Sequence, residues 1–465
     1  MEFRKPKIGL LGMMIEGYEP LFPGIIARQE AYAAELAASL SEIADVTFPG
    51  AAVTRAGVES TVEKFNREGM DGILIVLLAY SHSTWLMHAL QNNQLPIALA
   101  VLQPDEVMKS DFTELDFTVN QGIHGAQDNA NAIRRMNYPF QYFAGSRTSE
   151  RFFQFFKNFS MASAIATRFR TMRVATIGKM TGMGDLFADE IGLYTKIGPE
   201  YCHESIGTVS QIMPTISEDV IRQQIALEQE RFDCDETLTY EKHEHALRQY
   251  FALKQFLEER NYDAFTLHFE VLGEDGRYQQ LPFLAASNLM ADGYGYAAEG
   301  DSMCATILSA AMQMSDKNAT FAEMYAMDAG ANAILMCHAG ESNWRIAKQS
   351  KKPRLIDKVF NEGGLDNPPT PLFTPEPTAC TVVSFAPMMG DQFKLIVCDG
   401  EILDKDDLYG CEMPYMYFKP NCGVETCVEG WLENGGTHHE IVTVGITSEI
   451  WKMLGKIWGV EVCIL

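Results

Sequence analysis

Long apolar runs are missing from this 465-residue chain. No stretch reaches the roughly 18 residues that a membrane-spanning helix needs, which argues against a helical membrane protein. An excess of positive charge is missing as well. Lys and Arg number 37 against 62 Asp and Glu, a formal net charge of −25. Such a chain repels phosphate backbones and anionic lipid heads, so neither nucleic acid nor a membrane surface is expected as partner. Internal repeats and low-complexity segments are absent. Close cysteine pairs are absent too: none of the ten cysteines forms Cys-x-x-Cys, and the nearest two are Cys422 and Cys427. Scattered in this way, they are expected to be reduced and buried as small apolar side chains. The first six residues carry Lys and Arg, but the apolar run Lys7–Met13 is too short for a secretory signal, so a cytoplasmic location is expected.

What is present is a globular composition, 47% hydrophobic and 21% charged, in a chain too long for one ordinary core. Over the first 170 residues short apolar runs alternate with helical patterns. Lys7–Met13 reads as a buried strand, 25–40 as a helix, 45–48 and 72–78 as strands, and 95–102 as a further apolar run. This order predicts a parallel sheet covered by helices, a Rossmann-like α/β domain over 1–170. The aromatic-rich helix predicted over 148–169 is positioned to leave it. A second α/β unit over 171–320 opens with a strand at 172–178. Helices are predicted at 218–231, 240–260, 281–291 and 303–314, with a strand at 262–269. After about 320 the pattern turns β-rich. Prolines at 368, 369, 371, 375 and 377 predict a loop. Strands at 378–385 and 392–398 joined by a turn at Gly390, a strand at 439–444 and a closing helix at 449–458 complete a β-rich, barrel-like C-terminal domain over 321–465.

Two glycine clusters, 178–184 and 293–300, fit neither Gly-x-Gly-x-x-Gly nor the P-loop pattern. A tight strand-to-helix turn is the simpler reading of the first, with phosphate binding at a helix terminus the alternative. His243-Glu244-His245 lies in a charged helical stretch and is expected on a solvated face. Tandem His438-His439 enters a strand, so one of the two should face inward. His338 ends the apolar run 333–337, where a strand would deliver it to a site edge. Glu299 and Glu323 lie in otherwise apolar segments, and a buried lone carboxylate is costly unless paired or bound to a cation. Two Glu and two His form a donor set for Mn²⁺, Mg²⁺ or another divalent ion. Each alone also matches a hydrogen-bonded core polar group.

Several segments, in order, resemble the L-arabinose isomerase family. Asp263-Ala264-Phe265-Thr266 with Phe269-Glu270 resembles its central strand, and Gln280-Leu281-Pro282 follows. Gly293-Tyr294-Gly295-Tyr296-Ala297-Ala298-Glu299-Gly300-Asp301, Phe321-Ala322-Glu323-Met324-Tyr325 and Gly435-Gly436-Thr437-His438-His439 resemble three further family motifs. The resemblance implies Glu299, Glu323, His338 and His439 as ligands of a divalent metal, usually Mn²⁺, with Glu299 and Glu323 also the acid/base pair. It implies substrate contacts from His438, Gln121, His124, Tyr80, Phe269 and Met183. It also implies a homo-oligomer, often a hexamer, in which one subunit closes a neighbour's site. The expected activity is metal-dependent aldose–ketose isomerisation of a free sugar, L-arabinose or a related aldose such as D-galactose or L-fucose. A sugar-binding sensor on the same scaffold and a sugar epimerase are the alternatives. The chain departs from the family after the first strand: Met14 stands where a sugar-contacting Gln is usual, and Glu16 adds a carboxylate nearby, and the resemblance implies substrate contacts from both. Ser302 replaces a Trp, Glu341-Ser342-Asn343 follows His338, and the family's last stretch is expected to be missing after Leu465.

Overall fold

The computed structural model describes residues 4–180, 182–360 and 364–465. The chain forms two compact units. One comprises residues 4–168 together with 449–459. Its five-stranded sheet runs in the order Asp45–Thr47, Lys7–Met13, Gly72–Leu77, Ile97–Val101, Gln141–Ala144, all parallel. Every residue of Gly72–Leu77 is buried, as expected of a parallel strand covered on both faces. Alternation along the strands sends Leu10, Leu74 and Val76 into one apolar layer and Leu11, Ile73 and Ile75 into the other. The aromatic helix Glu150–Phe169 remains in this unit: Phe152, Phe156 and Phe159 are fully buried in the first layer. The strand order reverses between Lys7–Met13 and Gly72–Leu77, which opens a crevice at their carboxyl ends, where open α/β sheets bind ligands.

The other unit holds residues 169–448 and 460–465. Its first sheet, also parallel, runs Gly295–Ala298, Ala264–Leu267, Arg173–Ile177, Glu200–His203. Helix Ser302–Met314 is apolar almost all round and buried accordingly. It packs so tightly on its strand that a Cβ at Gly295 would meet the Ala305 carbonyl at 2.2 Å. The β-rich part is a closed antiparallel barrel. Thr378–Pro387 pairs with His439–Val444, then Ala319–Asp328, Ala333–Cys337, Tyr415–Pro420 and Phe393–Ile402, which returns to pair with Thr378–Pro387. Glu461–Ile464 adds in parallel to Phe393–Ile402.

Two local expectations change, and a third, the turn at the first glycine cluster, holds. The proline-rich loop contains a strand, Pro369–Leu372, at the edge of a small sheet with Arg354–Asp357 and Asp233–Cys234. An edge tolerates prolines because half its backbone donors need no partner. His243 is not on a solvated face. It is buried with Glu228, its Nε2 2.5 Å from the carboxylate, which also accepts from Asn288 at 2.7 Å. The first glycine cluster forms a turn. Gly178 takes φ 78°, and no α-helix starts before Glu190. Thr181 of that cluster lies outside the described residues.

Candidate active site

Barrel register builds the site. On strand Ala319–Asp328, Glu323 lies opposite His439 on one side and Cys337 on the other, with His338 next in the chain. One rung thus delivers a carboxylate and two imidazoles. Glu299 arrives from the parallel sheet, just past strand Gly295–Ala298. Its backbone is left-handed, φ 63°, and Gly300 follows at φ 85°. Left-handed backbone is rare and costly for a residue with a Cβ, and it clusters at functional sites. The turn is held by Met180 N–H donating to the Glu299 carbonyl at 3.0 Å. A Cβ on Gly300 would meet the Lys179 Cα at 2.4 Å, so that position accepts only glycine.

The four side chains converge. His439 Nε2 lies 3.5 Å from Glu299 Oε2 and 3.4 Å from Glu323 Oε1, and His338 Nε2 lies 3.7 Å from Glu323 Oε1. Glu299, His338 and His439 can together hold one ion, and so can Glu323, His438 and His439. His439 Nε2 and Glu299 Oε2 are buried without a hydrogen-bond partner. Orphaned buried nitrogen and oxygen atoms aimed at one point fit a divalent cation.

A surrounding shell orients these groups, and the sequence reading assigned it no role. His439 Nδ1 lies 2.9 Å from Asp301 Oδ2, while Asp301 Oδ1 accepts the Cys304 N–H and caps helix Ser302–Met314. His338 Nδ1 lies 3.1 Å from the buried Glu341, which accepts from Tyr296 OH at 2.8 Å. Asp185 Oδ2 lies 2.7 Å from His438 Nδ1 and 2.9 Å from the His438 N–H. A carboxylate three residues after His338 was the sequence signal for Glu341. Asp185, 253 residues from its partner, left none.

Burial pushes the Glu299 carboxyl up, but the His438 and His439 imidazoles outweigh it and hold the group below the usual carboxylate range. Burial favours neutral His439, yet Asp301, Glu299 and Glu323 raise it well above the ordinary imidazole value. Asp185, helped by Glu299, moves His438 up to about 9. The carboxylates of Asp185 and Asp301 at the Nδ1 atoms of His438 and His439 orient the two rings so that their Nε2 atoms face Glu299. One of the tandem histidines faces inward as expected, since His439 is fully buried; the strand starts at His439, so alternation does not govern the partly exposed His438, whose Nε2 also reaches Glu299 at 3.5 Å. Beside the four lies a cavity of about 260 Å³, lined among others by Phe269, Tyr296, Glu299, Glu323, Tyr325, His338 and Glu341. Met183 is half-buried, two residues before Asp185.

The remaining expected contacts gather in the other unit, at the carboxyl ends of its strands. The Tyr80 ring stacks on His124, centroids 5.2 Å apart and planes within 5°. Tyr80 OH donates to Asp128 at 3.4 Å, and Gln121 hydrogen-bonds Tyr18. Glu16 is exposed at the start of the turn Glu16–Tyr18. Met14 is different. Its side chain is fully buried in the apolar layer, so it packs the core and offers a ligand no surface, contrary to the sequence expectation.

Comparison with known proteins agrees with this geometry. The sequence profile of the L-arabinose isomerase central domain matches residues 181–317, and that of the L-arabinose isomerase C-terminal domain matches 318–461. An L-arabinose isomerase of Leuconostoc mesenteroides is 29% identical over 94% of this chain and 94% of its own length. One of Pediococcus pentosaceus is 28% identical over 89% of both chains, and one of Bacteroides thetaiotaomicron 25% identical over 96% of this chain and 92% of its own.

Proposed function

The chain belongs to the L-arabinose isomerase family and is an isomerase, and from that premise we propose that it interconverts a free aldose, L-arabinose or a close relative, and its ketose in a metal-dependent reaction. The observation that carries the reading is the convergence of Glu299, Glu323, His338 and His439 around orphaned buried donor atoms.

These four residues would hold the divalent ion, with Mn²⁺ the first choice for a carboxylate and imidazole set. When bound, such an ion supplies Lewis-acid polarisation of the sugar's O1 and O2. The chain's own residues do the rest. Aldose–ketose conversion takes a proton from C2 and returns it to C1, while another proton passes between O2 and O1. Glu299 and Glu323 are the paired carboxylates for these two transfers, both within reach of His439 Nε2 at the centre. His438, locked by Asp185, presents Nε2 as a donor to a sugar hydroxyl. Phe269 and Met183 supply apolar walls. Tyr80, Gln121, His124 and Glu16 form a second sugar-contacting group, completing the site of a neighbouring subunit in a homo-oligomer.

The test is ketose formation from a panel of pentoses, hexoses and 6-deoxyhexoses, with metal-stripped and Mn²⁺-loaded protein side by side. Ketose that appears only with the ion supports the reading and ranks the sugars. Silence across the panel with Mn²⁺ bound would overturn it.

A further inference from the structure

Three thiols meet away from the glutamate and histidine centre. Cys398 lies on barrel strand Phe393–Ile402, opposite Val382. Cys422 sits in the turn after strand Tyr415–Pro420, and Cys427 in the first turns of helix Val424–Asn434. Two backbone bonds bring the segments together: Asn421 N–H donates to the Asp399 carbonyl at 2.9 Å, and Cys427 N–H to the Gly423 carbonyl at 3.0 Å. Cys398 Sγ and Cys422 Sγ are 3.8 Å apart, and all three sulfurs lie within 4.8 Å of one another. Cys398 and Cys427 are fully buried, and Cys422 is half-buried.

This cluster is distinct from the catalytic rung. The rung pairs Glu323 with His439 and Cys337, and Tyr415 also opposes Cys337. Strand Tyr415–Pro420 then runs away from that end and reaches Gly400 at the other, where Cys422 follows. Thiols buried merely as small apolar groups pack among carbon atoms. Here Cys398 and Cys427 belong to the barrel's apolar cluster, with Cys422 packed against it, but the three sulfurs also face each other, and Cys398 Sγ reaches Asp399 O and Cys422 Sγ reaches Gly423 O, both at 3.7 Å. Sulfurs around a tetrahedral ion at about 2.3 Å are separated by about 3.8 Å, the spacing of the Cys398–Cys422 pair.

We propose that Cys398, Cys422 and Cys427 form a second metal site, an all-thiolate one, for a thiophilic d¹⁰ ion of the Zn²⁺ class. No fourth His, Cys, Asp or Glu belongs to the group among the described residues, so the fourth position goes to solvent beside the half-buried Cys422. Binding releases the thiol protons, three from three thiols, and forms three sulfur–metal bonds with no change of oxidation state. The donor set also sorts the ions: thiolates select the softer cation, and the carboxylate and imidazole centre keeps the harder one. The site acts as a clip. It fastens the start of helix Val424–Asn434 to the barrel wall, and the other end of that helix leads into His438 and His439. Trp431 Nε1 of the helix donates to the Thr437 carbonyl at 3.2 Å.

The experiment titrates Co²⁺ into full-length, metal-stripped protein kept reduced with a non-chelating phosphine. Sulfur-to-cobalt charge-transfer absorption arises only from thiolate ligation, so the glutamate and histidine centre is silent in it. One equivalent of that absorption is expected in the unaltered protein and in Glu299→Gln, with loss in Cys427→Ser and loss or strong reduction in Cys422→Ser. Zn²⁺ should bleach the signal, and Zn²⁺ affinity should fall at least tenfold in either serine variant. Cys422 is partly exposed, so its variant guards against a folding defect at Cys427. Alkylation of unaltered protein gives a readout without substitution: saturating Zn²⁺ should protect these three cysteines. Co²⁺ bound without charge-transfer absorption, absorption indifferent to both serine changes, or a Cys398–Cys422 disulfide forming in air under saturating Zn²⁺ would each overturn the proposal.

Discussion

Glu299 carries the greatest load of any single residue. It accepts a left-handed backbone, buries a carboxylate and leaves one oxygen without a hydrogen bond. Glu299→Gln keeps the shape and removes the charge. Ketose formation should drop by about 10²–10⁴-fold, the share of a positioned acid or base, while circular dichroism and the melting profile stay close to the parent. Full activity in that variant would remove Glu299 from the chemistry. The four converging residues were legible in the sequence because carboxylates and histidines stood out in apolar segments and matched family motifs in order. Their orienting partners were not. Asp301 and Glu341 were visible as residues, but no local pattern says which imidazole a carboxylate will face. Met14 was misread because its place in the family motif is that of a sugar-contacting Gln, while the tertiary packing turned its side chain into the core.

Helix ends connect the elements to the site. Asp301 divides its oxygens between capping Ser302–Met314 and holding His439. Asn caps a helix nearly as well as Asp, so Asp301→Asn should leave the melting temperature nearly unchanged. It should weaken metal retention by about 10–100-fold, as removal of an imidazole-orienting carboxylate does. Equal losses in both measurements would mean that Asp301 only supports the helix. At the first α/β unit, Glu19 accepts the Gly24 and Ile26 N–H groups at the start of Ile25–Ser39, at 2.6 and 3.1 Å. Those bonds hold its pKa below the ordinary 4.5. A lowered folded-state pKa stabilises above the unfolded value and loses that stabilisation as pH falls through the folded one. Glu19→Gln should therefore destabilise at neutral pH and converge on the parent as pH falls through the lowered folded-state value, which denaturation across a pH series measures. The elements themselves were largely readable, since period-2 and period-3.6 patterns are local. The edge strand Pro369–Leu372 was not, because proline content hid a pairing that only the neighbouring Arg354–Asp357 reveals.

At the scale of the whole molecule, the chain's last helix, Ser448–Trp458, packs almost entirely with the N-terminal unit. Trp451 and Leu454 are fully buried there, and the Met453 carbonyl accepts from Gln141 at 3.1 Å. Trp451→Ala should cost about 3–5 kcal/mol in denaturant unfolding of that unit and leave metal content at the barrel unchanged. A loss of bound metal without a stability change would contradict this division. The excess of 25 negative charges is likewise a property of the whole. By itself the sequence determined the α/β-then-β plan, the absence of a helical membrane span, and the glutamates and histidines of the centre, because hydrophobic period and residue type are written locally. Tertiary structure alone decided three further things: that Glu323 shares a rung with His439 and Cys337, that Asp185 reaches His438, and that three dispersed cysteines meet. Each depends on strand register and barrel closure, and those are set by contacts between residues tens to hundreds of positions apart.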